Sequence, residues 1–229
     1  MDESGFGIGE EQALRVLIHL DQAIKGKVIG GKQEWVTDIE CINAAGESLA
    51  PLLIFKGEEL NSRWINERIP DDWYLAISKN GWTSNDLGFT WLRRVFDRNT
   101  REKAAGRRRL LIADRHGSHI TADFIVYCME NEIDLLIMPP HCSHILQPLD
   151  ISVFSAFKHH HTCETQAISR LSSQRITRAE WIELLSYARA KALTKENILS
   201  RWRGTSLYPT ARMRVLRSLD PKPSTPAPI

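Results

Sequence analysis

The sequence predicts a layered α/β fold, a mixed sheet flanked by helices. Short apolar runs of strand length alternate with stretches of helical periodicity. An early pair of strands is joined by a turn too short for a crossover, which adds antiparallel strands to the sheet. The later strands are separated by helices, the pattern of a sheet with covered faces.

The elements follow in order. WVTDIECIN (35–43) and LAPLLIF (49–55) are strands, and Ala44-Ala45-Gly46-Glu47 is the hairpin turn between them. Thr83 with Asp86 reads as the cap of a helix carrying Leu87, Trp91, Leu92 and Val95 on one face. RLLIA (109–113) is a buried strand ending at Asp114. A helix starts near Thr121, with Phe124, Ile125, Cys128 and Met129 at helical spacing. IDLLIM (133–138) is a second buried strand, stopped by Pro139-Pro140. VFSAFK (153–158) opens another helix. Thr177 and Glu180 form a capping box before Trp181, Leu185, Ala188 and Ala192, the apolar face of a helical extension. The organisation predicted is a core at 1–162, a basic helical extension at 163–217 and a disordered proline-rich tail at 218–229.

Composition narrows the function. Hydrophobic content of 42% and charge of 25% are those of an ordinary globular chain, and no apolar run is long enough to cross a bilayer. The four cysteines form no CxxC pair, which argues for reduced thiols. Net charge is only +2, but from Arg170 to Arg217 eleven Lys/Arg face three acids. Such a local excess suits a phosphate backbone, although charge runs are more often solvated surface.

Asp114 ends one strand, and Asp150 follows the next strand and a loop. If those strands are neighbours, both acids lie at the carboxyl edge, where open α/β sheets place their chemistry. Converging carboxylates repel unless a cation lies between them, and oxygen ligands favour Mg²⁺ or Mn²⁺. Taken alone, helix capping explains an aspartate more often than a metal does. His141, Cys142, His144, His159, His160, His161 and Cys163 match no standard zinc spacing. Trp35, Trp64, Trp73, Trp82 and Trp91 read as packing residues rather than base-stacking platforms.

MDESGF (1–6), GWTSNDLGFTWLRRVFD (81–97), LLIADRHGSH (110–119), MPPHCSHILQPLD (138–150) and VFSAFK together resemble pogo/Tigger-like transposases of the DDE superfamily, in particular those of fungal genomes. The resemblance runs from residue 1 to about 220 and implies an RNase H-like fold. It also implies a catalytic and metal-binding set of Asp2, Asp114 and Asp150 holding two Mg²⁺ or Mn²⁺ ions. The implied reaction is phosphodiester cleavage at transposon ends, followed by strand transfer. DNA is the implied partner, the nucleus the implied location and a homo-oligomer the implied working form, with no membrane and no small-molecule cofactor. Arg107, Arg108, Arg109, His116, Lys158, Arg201 and Arg203 are the candidate DNA contacts. Glu3 would point away from Asp2, since strand neighbours face opposite sides. His119 reads as a loop-backbone partner, and Gly117 as a positive-φ residue.

Three departures from the family pattern shape the expectation. Little chain precedes Asp2, so the first strand should fray. The family's amino-terminal helix-turn-helix has no counterpart here. Arginine, not glycine, stands at 115, where it could crowd or pair with Asp114. The sequence therefore reads as a truncated or degraded copy. The alternative kept open is a non-catalytic nucleic-acid-binding remnant, domesticated or decayed.

Overall fold

The computed structural model describes residues 1–8, 34–64, 67–171, 176–211 and 213. The proline-rich tail lies outside them. Strands β1 (Asp2–Ile8), β2 (Glu34–Glu40), β3 (Leu52–Lys56) and β4 (Tyr74–Ser78) form one sheet in that order. β1–β2 and β2–β3 are antiparallel, and β3–β4 is parallel. α1 (Asn85–Trp91) continues through a π-helical segment, Leu92–Asp97, into α2 (Arg98–Ala104). β5 (Arg109–Ala113) and β6 (Ile133–Ile137) are parallel, linked by α3 (Ala122–Glu130). After α4 (Ser143–Leu146) a π turn, Leu149–Val153, leads into α5 (Phe154–Leu171), then α6 (Arg178–Ala192) and α7 (Lys195–Thr205). The sheet is mixed and has helices against it, as the α/β class requires.

Alternation along the strands builds two cores, one on each face. Phe6, Val36, Leu53 and Phe55 meet Phe157, Trp181, Leu185 and Ala188 of α5 and α6. Ile39, Leu52 and Ile54 meet Trp91, Leu92, Val95, Leu111, Phe124 and Ile133 on the other face. Each such side chain contributes roughly 1.5–3 kcal/mol when fully buried. β3 is therefore buried on both faces, which explains its unbroken apolar run. The carboxyl-terminal helical extension is present. α5 runs through position 163 without a break, and α6 packs into the same core as β1–β3.

Several local readings need correction. β1 does not fray: it pairs with β2 along its whole length, from Asp2↔Glu40 to Ile8↔Glu34. Met1 holds its start, because its ammonium donates to Ile112 O at 2.7 Å. β4 escaped prediction because all five of its residues are only half-buried, so neither alternation nor a buried run marks it. Ser84, not Thr83, caps α1, its hydroxyl accepting from Leu87 N–H at 3.2 Å. Gly117 is not one of the positive-φ glycines among the described residues, which are Gly46, Gly81 and Gly106. β5 and β6 are not buried throughout, since Leu110 and Leu136 are exposed, as are Ile125 and Met129 on α3. Trp91 is core on one face of the sheet, and Trp64 and Trp73 pack against the core on the other, whereas Trp82 is exposed beside Trp35.

Candidate active site

Three chain segments meet at Met1. Its backbone carbonyl accepts from Gln147 Nε2 at 2.9 Å, while its ammonium bonds β5. This fixes the start of β1 between the end of β5, which carries Asp114, and the turn that carries Asp150. Asp2 is buried, and its Oδ1 accepts the Glu3 N–H at 2.8 Å. Among the described residues no N–H or hydroxyl group donates to its buried Oδ2.

Charge ties the three acids together. Burial and the Asp150 carboxylate push the Asp2 carboxyl well above its ordinary range, and Asp114 adds to the effect. Asp150 is the second residue of the π turn that follows Pro148 and is exposed. It too is raised, first by desolvation and also by the charge of Asp114; a hydrogen bond with Asp2 and the nearby Lys158 and His144 work against the rise. Asp114 behaves oppositely. Desolvation would raise it, but a hydrogen bond and charge from His119 outweigh that and hold it below the usual carboxylate range.

His119 is thus more than a loop-backbone partner, which corrects the reading above. Its ring is fully buried, with Nδ1 2.9 Å from Asp114 Oδ1 and Nε2 3.2 Å from Glu3 Oε1. The Nε2 contact is close but too poorly aligned for a hydrogen bond. Burial alone would lower its pKa; Asp114 and Glu3 raise it instead to about 9. So Asp114 has an internal cationic partner, and an ion is not needed to explain its position. The His116 N–H also donates to Asp114 Oδ1, at 3.1 Å.

The turn holding His119 depends on α1. A Cβ on Gly88 would lie 2.9 Å from both the Cβ and the carbonyl oxygen of Ser118, so only glycine lets the two segments approach. Glu3 faces away from Asp2, as strand geometry predicts. It receives Thr83 Oγ1 at 2.7 Å and Ser118 Oγ at 3.4 Å. Arg115 is exposed, and the ion-pair partner of Asp114 is His119 instead.

The candidate DNA contacts separate into groups. Lys158 lies close enough to influence Asp150, and His116 stands exposed at the rim. Arg107, Arg108 and Arg109 precede or begin β5, at the opposite end of that strand from Asp114. Arg109 is corrected outright: its guanidinium is buried against Asp97 at 2.6 Å and donates to Asn131 O at 2.6 Å, so no phosphate can use it. Arg108 forks onto Asp134. Arg201 is half-buried and Arg203 exposed on α7, which packs near the Asp150 turn through Ile198. The carboxyl-terminal basic excess is partly neutralised. Arg178 pairs with Glu34, Arg189 with Glu40, and Lys191 with Glu164.

A second acidic group was not anticipated. Asp38 and Glu40 are wholly buried on β2, on the face that meets α6. Arg189 grips Glu40 through two bonds of 2.6 and 2.9 Å and also donates to Leu49 O. Among the described residues neither oxygen of Asp38 has a hydrogen-bond partner, and burial followed by the Glu40 charge raises its carboxyl well above normal. The available signal was two acids inside a core strand, which are costly unless paired.

The family model for the DDE superfamily endonuclease matches residues 32–202, well over half of the chain. A protein of Cochliobolus lunatus named MFS-type transporter clz9 is 40% identical over 220 residues, covering 96% of this chain but 24% of that protein. The human pogo transposable element with ZNF domain is 22% identical over 128 residues, 56% of this chain and 9% of that protein. This chain thus spans about a quarter or less of these relatives. Among the described residues no helix is long and apolar enough to cross a membrane. The Mos1 transposase paired-end complex with left transposon end aligns at TM-score 0.46 and 11% identity, over 87% of this chain and 53% of that one. By the family match, the chain belongs to the DDE superfamily endonucleases.

Proposed function

We propose that the domain is a metal-dependent DNA endonuclease whose catalytic carboxylates are Asp2, Asp114 and Asp150. The observation that carries this is the burial of the Asp2 carboxyl beside Asp150 and Asp114, both close enough to raise its pKa. A buried carboxylate oxygen among like charges is costly, and a divalent cation relieves that cost. The donor set, all oxygen, fits Mg²⁺ or Mn²⁺. When bound, two such ions would supply Lewis acidity at the attacking and leaving oxygens of a phosphodiester.

The chain's own residues do the rest. Gln147 and the Met1 backbone hold Asp2 in place. His119 and the His116 N–H both engage Asp114 Oδ1, which fixes the rotation of that carboxylate. Lys158, beside Asp150, places positive charge where a DNA phosphate would approach. On this reading the substrate is DNA, strand transfer follows cleavage, the working form is an oligomer and the site of action is the nucleus.

The test is nicking of supercoiled DNA by purified protein with Mn²⁺ or Mg²⁺. Cleavage should require metal and disappear in Asp114→Asn and Asp150→Asn. Salt-sensitive DNA binding without cleavage, unaffected by metal or by Asp150→Asn, would replace this reading with that of a non-catalytic DNA-binding remnant.

A further inference from the structure

On the side of β1 opposite Asp2, Glu3 meets the two histidines of the loop after β5. One ligand atom each from Glu3, His116 and His119 lies within 4.8 Å of the others. Glu3 Oε1 is 3.2 Å from His119 Nε2 and 3.7 Å from His116 Nδ1. Two ligands each about 2.0–2.1 Å from one tetrahedral ion lie about 3.3 Å apart, so the side chains already have near-ligand spacing.

His119 gives the second, independent observation. It is fully buried, and among the described residues its Nε2 has no hydrogen-bond partner, only the 3.2 Å charge contact with Glu3; an ion would take that place by displacing the Nε2 proton. Its other nitrogen is held by the Asp114 carboxylate at 2.9 Å. Metal-ligating imidazoles are oriented in this way, with the outer nitrogen on a carboxylate and the inner one on the ion. Thr83 Oγ1 donates to Glu3 Oε2 at 2.7 Å, which turns Oε1 toward the two rings. His116 is exposed and gives an ion a path from solvent; to bind through Nδ1 it would exchange its 2.9 Å bond to Ser118 Oγ.

We propose that Glu3, His116 and His119 form a second metal site, distinct from the three aspartates, that takes a borderline divalent ion such as Zn²⁺. Two imidazoles and one carboxylate prefer such ions to Mg²⁺, which keeps to oxygen ligands. The ion ties β1 to the loop after β5, and so fixes the relative positions of Asp2 and Asp114. Its role is to position, and the cleavage chemistry stays with the aspartates. The site does not depend on the catalytic reading.

The experiment is calorimetric titration of the untagged, metal-stripped chain with ZnCl₂ in millimolar Mg²⁺, with Co²⁺ absorption reporting the ligand field. One ion should bind per chain. Glu3→Gln and His116→Ala should each weaken binding tenfold or more, and circular dichroism should show both variants folded. Asp150→Asn should leave zinc affinity unchanged, although it abolishes cleavage on the reading above, so the two proposals fail separately. The His159→Ala/Cys163→Ala variant should also bind normally, which removes the other close His–Cys pair, at 3.7 Å, as the source. The proposal is overturned by absent binding, by binding indifferent to Glu3→Gln and His116→Ala, or by binding lost in Asp150→Asn or in the His159/Cys163 variant.

Discussion

Arg189→Met should be among the most damaging single changes outside the carboxylate site. Arg189 reaches from α6 into the sheet and makes two bonds to Glu40 and a third to Leu49 O. Both partners are shielded: the side chains of Arg189 and Glu40 are 14% and 0% exposed. Solvent therefore screens the pair little. Removing the cation leaves Glu40 buried without its partner, with Asp38 beside it. Breaking one side of a buried pair costs about 3–5 kcal/mol. At about 2–4 °C per kcal/mol for a chain of this size, the melting temperature should fall by about 6–20 °C. Urea unfolding followed by tryptophan fluorescence measures this directly, because Trp73 and Trp181 lie in this core. The double variant Glu40→Gln/Arg189→Met should recover part of the loss, since a neutral pair carries no stranded charge. A cost below about 1 kcal/mol, or a double variant no better than the single, would refute the assignment of Arg189 as the neutralising cation.

Other expectations follow from the same interior. His161 is buried between Phe6 and Trp181, and desolvation lowers its pKa to about 4. Below about pH 6.5 the unfolded chain takes up a proton that the folded chain refuses, so stability should fall by up to about 3 kcal/mol as pH drops from 6.5 to 4; His161→Phe should flatten that stretch of the profile in chemical denaturation. Asp38→Asn should stabilise the chain at pH 8 by about 1–3 kcal/mol. The unfolded chain ionises Asp38 first, so the native protein loses stability as pH rises above about 4, and the variant's denaturation profile should lack that slope. Gly88→Ala should cost about 1–3 kcal/mol by thermal denaturation, because its Cβ meets Ser118, and it should weaken metal binding by displacing the His119 turn.

The parts of the fold legible in the sequence were those with local causes. The Thr121 cap, the Thr177–Glu180 capping box and the hairpin between β2 and β3 are written within four to eight residues, and each is present. So is the strand ending at Asp114. β4 was hidden because its five half-buried residues give neither period, and Thr83 was misread as a cap because its hydroxyl serves Glu3, eighty residues away. The Arg189–Glu40 and Arg109–Asp97 pairs were equally out of reach, since nothing local says which arginine folds inward. His119 shows the same limit at the site. Its motif was visible, but its bridge between Asp114 and Glu3 exists only once β1 lies beside β5. Spacing placed Asp114 and Asp150 at one edge, and Asp2 came from resemblance. The structure sets all three within electrostatic reach of one another.

The most direct test of that convergence is Mn²⁺ binding followed by electron paramagnetic resonance, with Mg²⁺ as competitor. The wild-type chain should bind Mn²⁺ at a Mg²⁺-displaceable site, and Asp2→Asn and Asp150→Asn should each weaken it tenfold or more while leaving the fold intact. Mn²⁺ binding that is absent, or that persists unchanged in both variants, would contradict a shared metal site at these carboxylates.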